Sequence, residues 1–278
     1  GSRRAPARNA HCEGRMAHAA RPLRNLLAGA LAASILAVPP LMGQTTSPSP
    51  DATPPATPPA EDATALAKQQ QNPISSLVSV PLQNNFNTGG GLEDRTSFLL
   101  NAQPVLPFKL SDRWNVVSRT VLPIVSTPGP EDTRYSGIGD IQLQFYVTPS
   151  KGRSITWGAG PVLSLPTATT TGFETGSWAA GPAFVALAMP GPWVTGLLVT
   201  NVWTFADAGD DTKTSQLLLQ PFVNYNFGKG WALSSVPIIT ANWEAESGQQ
   251  WTVPVGLGIS RTTVFSGRPM TLAVHYYH

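Results

Sequence analysis

The sequence predicts an all-β fold, an antiparallel up-and-down transmembrane β-barrel, and three observations predict it. From Pro73 onward the chain breaks into eleven segments in which apolar and polar residues alternate. The connections between these segments alternate long and short. Tryptophans stand at segment ends. The composition agrees: charged residues make up 12% of the 278, well below the roughly one quarter of soluble proteins. No apolar run from Gln44 onward approaches the length of a membrane-spanning helix.

Residues 1–15 carry no pattern and read as an upstream or non-native segment. Residues 16–43 have the order of a secretory signal peptide. Arg21 and Arg24 precede an apolar core, Leu26 to Val38, and small residues near Gly43 mark the expected cleavage site. Residues 44–72 are rich in Pro, Thr and Ala and are expected to form a disordered linker. Residues 73–278 form the barrel domain. Six of the 18 basic and one of the 16 acidic residues precede Gln44, which leaves the remainder at a net charge of −3. The basic balance therefore belongs to the leader and gives no support to nucleic-acid binding. The single cysteine, Cys12, also lies upstream, so the mature chain has no disulfide framework and no thiolate metal site.

The segments are Ser75–Asn87, Arg95–Leu110, Trp114–Ser126, Gly137–Thr148, Ile155–Thr167, Trp178–Met189, Trp193–Phe205, Thr214–Phe227, Trp231–Trp243, Gln250–Phe265 and Pro269–His278. Within them the period is two, as in a strand with unlike environments on its two sides. Ile141, Leu143, Phe145 and Val147 oppose Gln142, Gln144 and Tyr146. Phe98, Leu100, Leu106 and Phe108 oppose Asn101 and Gln103, while Val223 and Tyr225 oppose Gln220, Asn224 and Asn226. Amides dominate the polar face and Lys or Glu are few, which suits a confined wet lumen better than a freely solvated face. The candidate lumen residues are Asn101, Gln103, Arg119, Asp140, Gln142, Gln144, Gln220 and Asn224. Arg119 and Asp140 stand out as charges on consecutive strands and are expected to pair in the lumen.

Connections such as TGGGLED, TPGPEDTRYS and ADAGDDTK are long, whereas Ser111–Arg113, Pro190–Pro192, Gly228–Gly230 and Ser266–Arg268 are short. An outer-membrane barrel with a periplasmic N-terminus segregates its loops in this way. Trp114, Trp193 and Trp231 open segments after short turns, and Trp203, Trp243 and Trp251 flank long loops. Trp157 and Trp178 each open a segment that carries a Gly-Pro pair three residues later. The eight form two expected aromatic girdles. Ten prolines fall inside the segments, among them Pro104, Pro123, Pro161, Pro182, Pro221, Pro237 and Pro254. Each removes a ladder donor, so bulges are expected there.

The stretches NPISSLVSVPLQNNFN, NAQPVLPF, WNVVSRTVLPIV, GIGDIQLQFYVTP, WGAGPVLSLPTAT and LLLQPFVNYNF resemble those of bacterial outer-membrane transporter-like proteins. That family is related to the barrels of the MetA pathway of phenol degradation and is often mislabelled neuromedin U. The resemblance spans about Asn72 to His278. It implies a Gram-negative outer-membrane barrel with a role in the passage of small compounds, apolar or aromatic ones included, and it brings no established site residues. The family continues through a further strand ending on an aromatic. About twelve strands are therefore expected in the complete form, with the last missing here.

Catalysis is not expected. After the leader the only histidines are His275 and His278, so a nucleophile has no base and a metal has no ligand set. Gly89–Gly91 lacks the Lys and helix of a phosphate-binding loop, and Asp207, Asp210 and Asp211 read as a solvated acidic loop. No cofactor is expected. The expected function is a passive outer-membrane channel reached by Sec-type export. Its expected partners are outer-membrane lipid and lipopolysaccharide, the barrel-assembly machinery and a small solute. A non-conducting structural or adhesive barrel, and a secreted soluble β-sandwich, are the alternatives.

Overall fold

Period-two patterning from Ser75 to His278 resolves into antiparallel strands, each span pairing with the next in sequence. The computed structural model describes residues 30–37, 60–88, 95–130, 132–152, 154–170, 176–207, 213–266 and 268–278. Its elements are β1 (Ala30–Ala37), α1 (Ala60–Gln70), β2 (Val80–Asn87), β3 (Ser97–Ala102), β4 (Val105–Lys109), β5 (Trp114–Pro128), β6 (Arg134–Ile138) and β7 (Ile141–Pro149). There follow β8 (Ile155–Leu165), β9 (Ser177–Ala188), β10 (Trp193–Asp207), β11 (Ser215–Gly228), β12 (Trp231–Ser235), β13 (Ile239–Asn242), β14 (Trp251–Thr252), β15 (Gly256–Phe265) and β16 (Arg268–Tyr277).

Four expected segments are each bent into two strands: β3 with β4, β6 with β7, β12 with β13, and β14 with β15. Pro104, Pro237 and Pro254 lie at three of these breaks, and the fourth, at Gly139–Asp140, faces Pro123 on β5. The register also sets Pro221 of β11 opposite Pro237. A proline has no N–H to give the ladder, so pairing lapses beside it. The carbonyls stay in use: Pro81 accepts from Gln103 N, Pro104 from Thr120 N and Pro123 from Gly139 N.

The wall from β2 to β16 is not closed on itself, because β2 and β16 do not pair with each other. β1 lies between them and pairs with both. The twelfth place, where a strand beyond His278 was expected, is thus taken by residues from the stretch that reads as a signal-peptide core. The remainder of 16–43, and all of 1–15, fall outside the described residues. The linker expectation needs correction over its last part: Ala60–Gln70 is helical. Residues 44–59 are not described.

Side chains sort inside out. Facing inward and buried are Gln103, Gln144, Thr148, Thr200, Asn224, Ser234, Ser260, Thr271 and His275, together with Val117, Tyr146, Val162 and Leu198. Facing outward are thirty exposed large hydrophobics among the described residues, including Phe86, Phe108, Ile155, Phe184, Phe205, Leu257 and Leu272. Soluble monomers rarely expose contiguous apolar patches above a few hundred Å². Among the described residues no helix is long and apolar enough to cross a membrane.

Candidate functional site: the barrel interior

The inward faces of β2 to β5 on one side, and of β10 to β16 on the other, enclose a cavity of about 220 Å³. Gln83, Gln103 and Arg119 line the first wall, and Gln220, Phe222, Asn224, Ser234, His275 and Tyr277 line the second. Gln70, Gln71, Asn72 and Pro73 make the floor.

Arg119, the amides beside it and the Ser234–His275–Tyr277 group are held by neighbours. Arg119 Nη2 donates to Gln103 Oε1, and Gln103 Nε2 donates to Gln83 Oε1 at 3.1 Å. Gln83 Nε2 reaches Asn85 Oδ1 at 3.2 Å, extending a chain of amides along the wall. Ser234 Oγ and His275 Nε2 lie 2.7 Å apart, and the imidazole stacks on Tyr277 with ring centroids 6.0 Å apart. The Tyr277 hydroxyl accepts from Val236 N at 2.8 Å, at the break between β12 and β13. That contact satisfies a backbone donor that the interrupted ladder would leave unpaired. The lining thus presents amide, hydroxyl, imidazole and guanidinium groups to the cavity. Among the described residues no three His, Cys, Asp or Glu side chains come together.

The expected site residues divide. Arg119, Gln103, Gln220 and Asn224 reach the cavity. Gln144 is buried and accepts from the Tyr146 hydroxyl at 2.9 Å. Gln142 shares its face and pairs with Ser164 and Val121. Asn101 sits between Gln83 and Pro123 in register. Asp140 does not line the cavity. The register puts Arg119 opposite Gln144, four positions along the strand from Asp140, roughly 13 Å at the usual strand rise. Asp140 Oδ1 instead accepts from Thr167 N and Ala168 N, both at 3.0 Å, and anchors the chain after β8. The expected Arg119–Asp140 pair is therefore corrected.

Sequence reasoning missed Gln70, Gln71, Gln83, Tyr277 and Phe222. Gln83 carried a signal in the amide run QNNFN, and His275 already stood on the face of Thr271 and Ala273. Nothing in the sequence placed the helix residues beneath them.

Tryptophans occupy both ends of the wall. Trp114 and Trp157 meet edge to face with centroids 6.1 Å apart, and Trp193 packs at a tilt against Tyr225 at 4.8 Å, all at the end of the wall that holds the short turns. Trp231 lies under the Arg261 guanidinium at 5.2 Å. Trp243 and Trp251 meet at 5.6 Å beside a long connection, and Trp178 and Trp203 are exposed near their own long loops.

The structure resembles that of a solved outer membrane channel. That channel, from Pseudomonas putida F1, shares 15% identity with this chain, and the match has a TM-score of 0.46 and covers 90% of this chain and 94% of the other. No family model and no curated protein matches the sequence.

Proposed function

We propose that the chain is an outer-membrane channel for the passive passage of small solutes, reached after Sec-type export. The observation that carries this is the inversion of polarity: amides, hydroxyls and Arg119 within, and exposed Trp, Phe, Leu and Ile without. In lipid an apolar outer face costs nothing, and a wet interior keeps amides solvated. A soluble β-sandwich needs the opposite arrangement, with its large apolar side chains between the sheets. The family resemblance, with its link to phenol-degradation barrels, supports extending the solutes to apolar and aromatic compounds. Val105, Leu198, Phe222 and Tyr277 in the cavity wall offer such compounds a surface. No catalytic role or cofactor is part of this reading. Outer-membrane lipid, lipopolysaccharide and the barrel-assembly machinery are the partners it requires.

A non-conducting barrel is the second reading. It is favoured by one observation, the helix and its following turn lying across one end of the interior. Liposome swelling separates the two. Vesicles containing protein that shows heat-modifiable migration should swell in small neutral solutes faster than empty vesicles. Swelling at the empty-vesicle rate for every solute tried would overturn the channel.

A further inference from the structure

The helix α1 lies at the end of the wall where the connections are short, and it is fastened to three of them. Lys68 Nζ donates to the carbonyls of Gly191, at 2.8 Å, and Met189, at 3.4 Å, around the turn between β9 and β10. Thr64 Oγ1 accepts from Gly230 N at 3.4 Å, in the turn between β11 and β12. Gln70 Nε2 donates to Pro269 O at 3.1 Å, beside the turn between β15 and β16, and its Oε1 accepts from the Thr271 hydroxyl. Just beyond the helix, Gln71 and Asn226 exchange amide hydrogen bonds of 3.0 and 3.1 Å. Gln70, Gln71, Asn72 and Pro73 are at the same time the floor of the cavity.

We infer that α1 with Gln71 and Asn72 is a releasable plug that closes the short-turn mouth of the lumen. This rests on the channel reading. Three features make it a plug and set it apart from the wall. Its fastening is polar: Ala67 is the one fully buried apolar side chain described on α1, whereas each strand is fixed by a ladder. Its own length, eleven residues, is too short for a stable helix in water, so undocking and melting are one event. Its far side is pinned. Ile74 is buried over Gly158, where its Cδ1 lies 3.5 Å from the place of a missing Cβ, and Ser79 bridges to Val105. Between pin and helix stands a short turn, closed by Ile74 N donating to Asn72 Oδ1 at 2.9 Å. The helix is therefore free to leave by the short-turn side while Ile74 stays, and its leaving removes the cavity floor and opens the passage.

The test is conductance in planar bilayers, with heat-modifiable migration as the check that each protein has folded. Lys68→Met removes the charged donor, and Gln71→Ala with Asn226→Ala removes the amide exchange. Each should raise the open fraction by roughly tenfold, the scale of one lost contact to a charge or a pair of neutral ones. Gln71→Cys with Asn226→Cys, on a Cys12→Ser background, should be silent when oxidised and should conduct after reduction. Because that comparison uses one preparation, it decides the matter even where Lys68→Met fails to insert. Equal conductance in the oxidised and reduced forms overturns the plug and leaves the channel standing. Folded protein that is silent in every form, plug variants included, overturns both.

Discussion

Pro161 faces Pro182 across the β8–β9 ladder, with Gly160 and Gly181 beside them. Neither proline has an N–H to give, and pairing lapses for two positions on the outer side of each strand, against β7 and against β10. Glycine lets the neighbouring strands close in there. A Cβ on Gly160 would stand 2.1 Å from the carbonyl oxygen of Phe145, and one on Gly181 would stand 1.7 Å from that of Asn201. The two Gly-Pro pairs are thus one device. The proline removes a bond, and the glycine lets the backbone pack where the bond is missing.

Gly160→Ala and Gly181→Ala should each destabilise the protein by roughly 1–3 kcal/mol, because the clash is with backbone and cannot be relieved by a rotamer. Gly152→Ala, with no atom within 4 Å of the new methyl, is the control and should stay within about 0.5 kcal/mol of wild type. Denaturant midpoints of the vesicle-inserted protein measure all three. An unchanged midpoint for Gly181→Ala would mean that β9 and β10 are not in contact at Asn201.

Much of this architecture was legible and some was not, for definite reasons. A wall with large apolar side chains on one face and amides on the other has period two, so Ile141–Val147 and Val223–Asn226 could be assigned to faces by inspection. The prolines were legible as a difficulty only, since their solution lies in register: Pro161 meets Pro182, Pro221 meets Pro237, and Pro123 meets a break. Cross-strand register is a tertiary fact and leaves no local mark. The helix was different. AEDATALAKQQ is built of helix formers, with acids in its first turn and Lys68 in its last, and it follows a proline pair. That signal was present but was absorbed into the low-complexity stretch before it. The Arg119–Asp140 pairing fails because neighbouring strands alone do not fix height: the register sets Arg119 opposite Gln144.

The Arg119–Gln103 contact sets up a double-mutant cycle. Arg119→Met with Gln103→Leu should show a coupling of about 0.5–3 kcal/mol in unfolding free energy, since the two side chains share a hydrogen bond. Arg119→Met with Asp140→Asn should be additive within about 0.5 kcal/mol, the residues lying four register positions apart with different partners. Strong coupling in the second cycle, and none in the first, would reverse the assignment given to Asp140.

The last prediction concerns the two levels of tryptophan. Trp193 opens β10 and Trp203 stands ten residues further along it, both exposed on its outward face. At about 3.3 Å per residue that is roughly 33 Å along the strand. A strand tilted by about 40° spans roughly 25 Å of membrane over that length, which is the height of the apolar band on outer-membrane barrels. Between them, Leu197 and Val199 form the apolar centre of the same face, flanked by Thr195 and by Asn201, whose Oδ1 accepts from Trp243 Nε1. If the protein sits in a bilayer in this orientation, both tryptophans lie at headgroup depth, one in each leaflet. Variants that keep only Trp193 or only Trp203 should then be quenched strongly by phospholipids brominated near the top of the acyl chain. Lipids brominated near its end should quench them weakly. The two variants should also respond alike to a lipid present in both leaflets and oppositely to a water-soluble quencher added on one side. Quenching greatest at the bilayer centre, or equal at all depths, would show that β10 does not span the membrane.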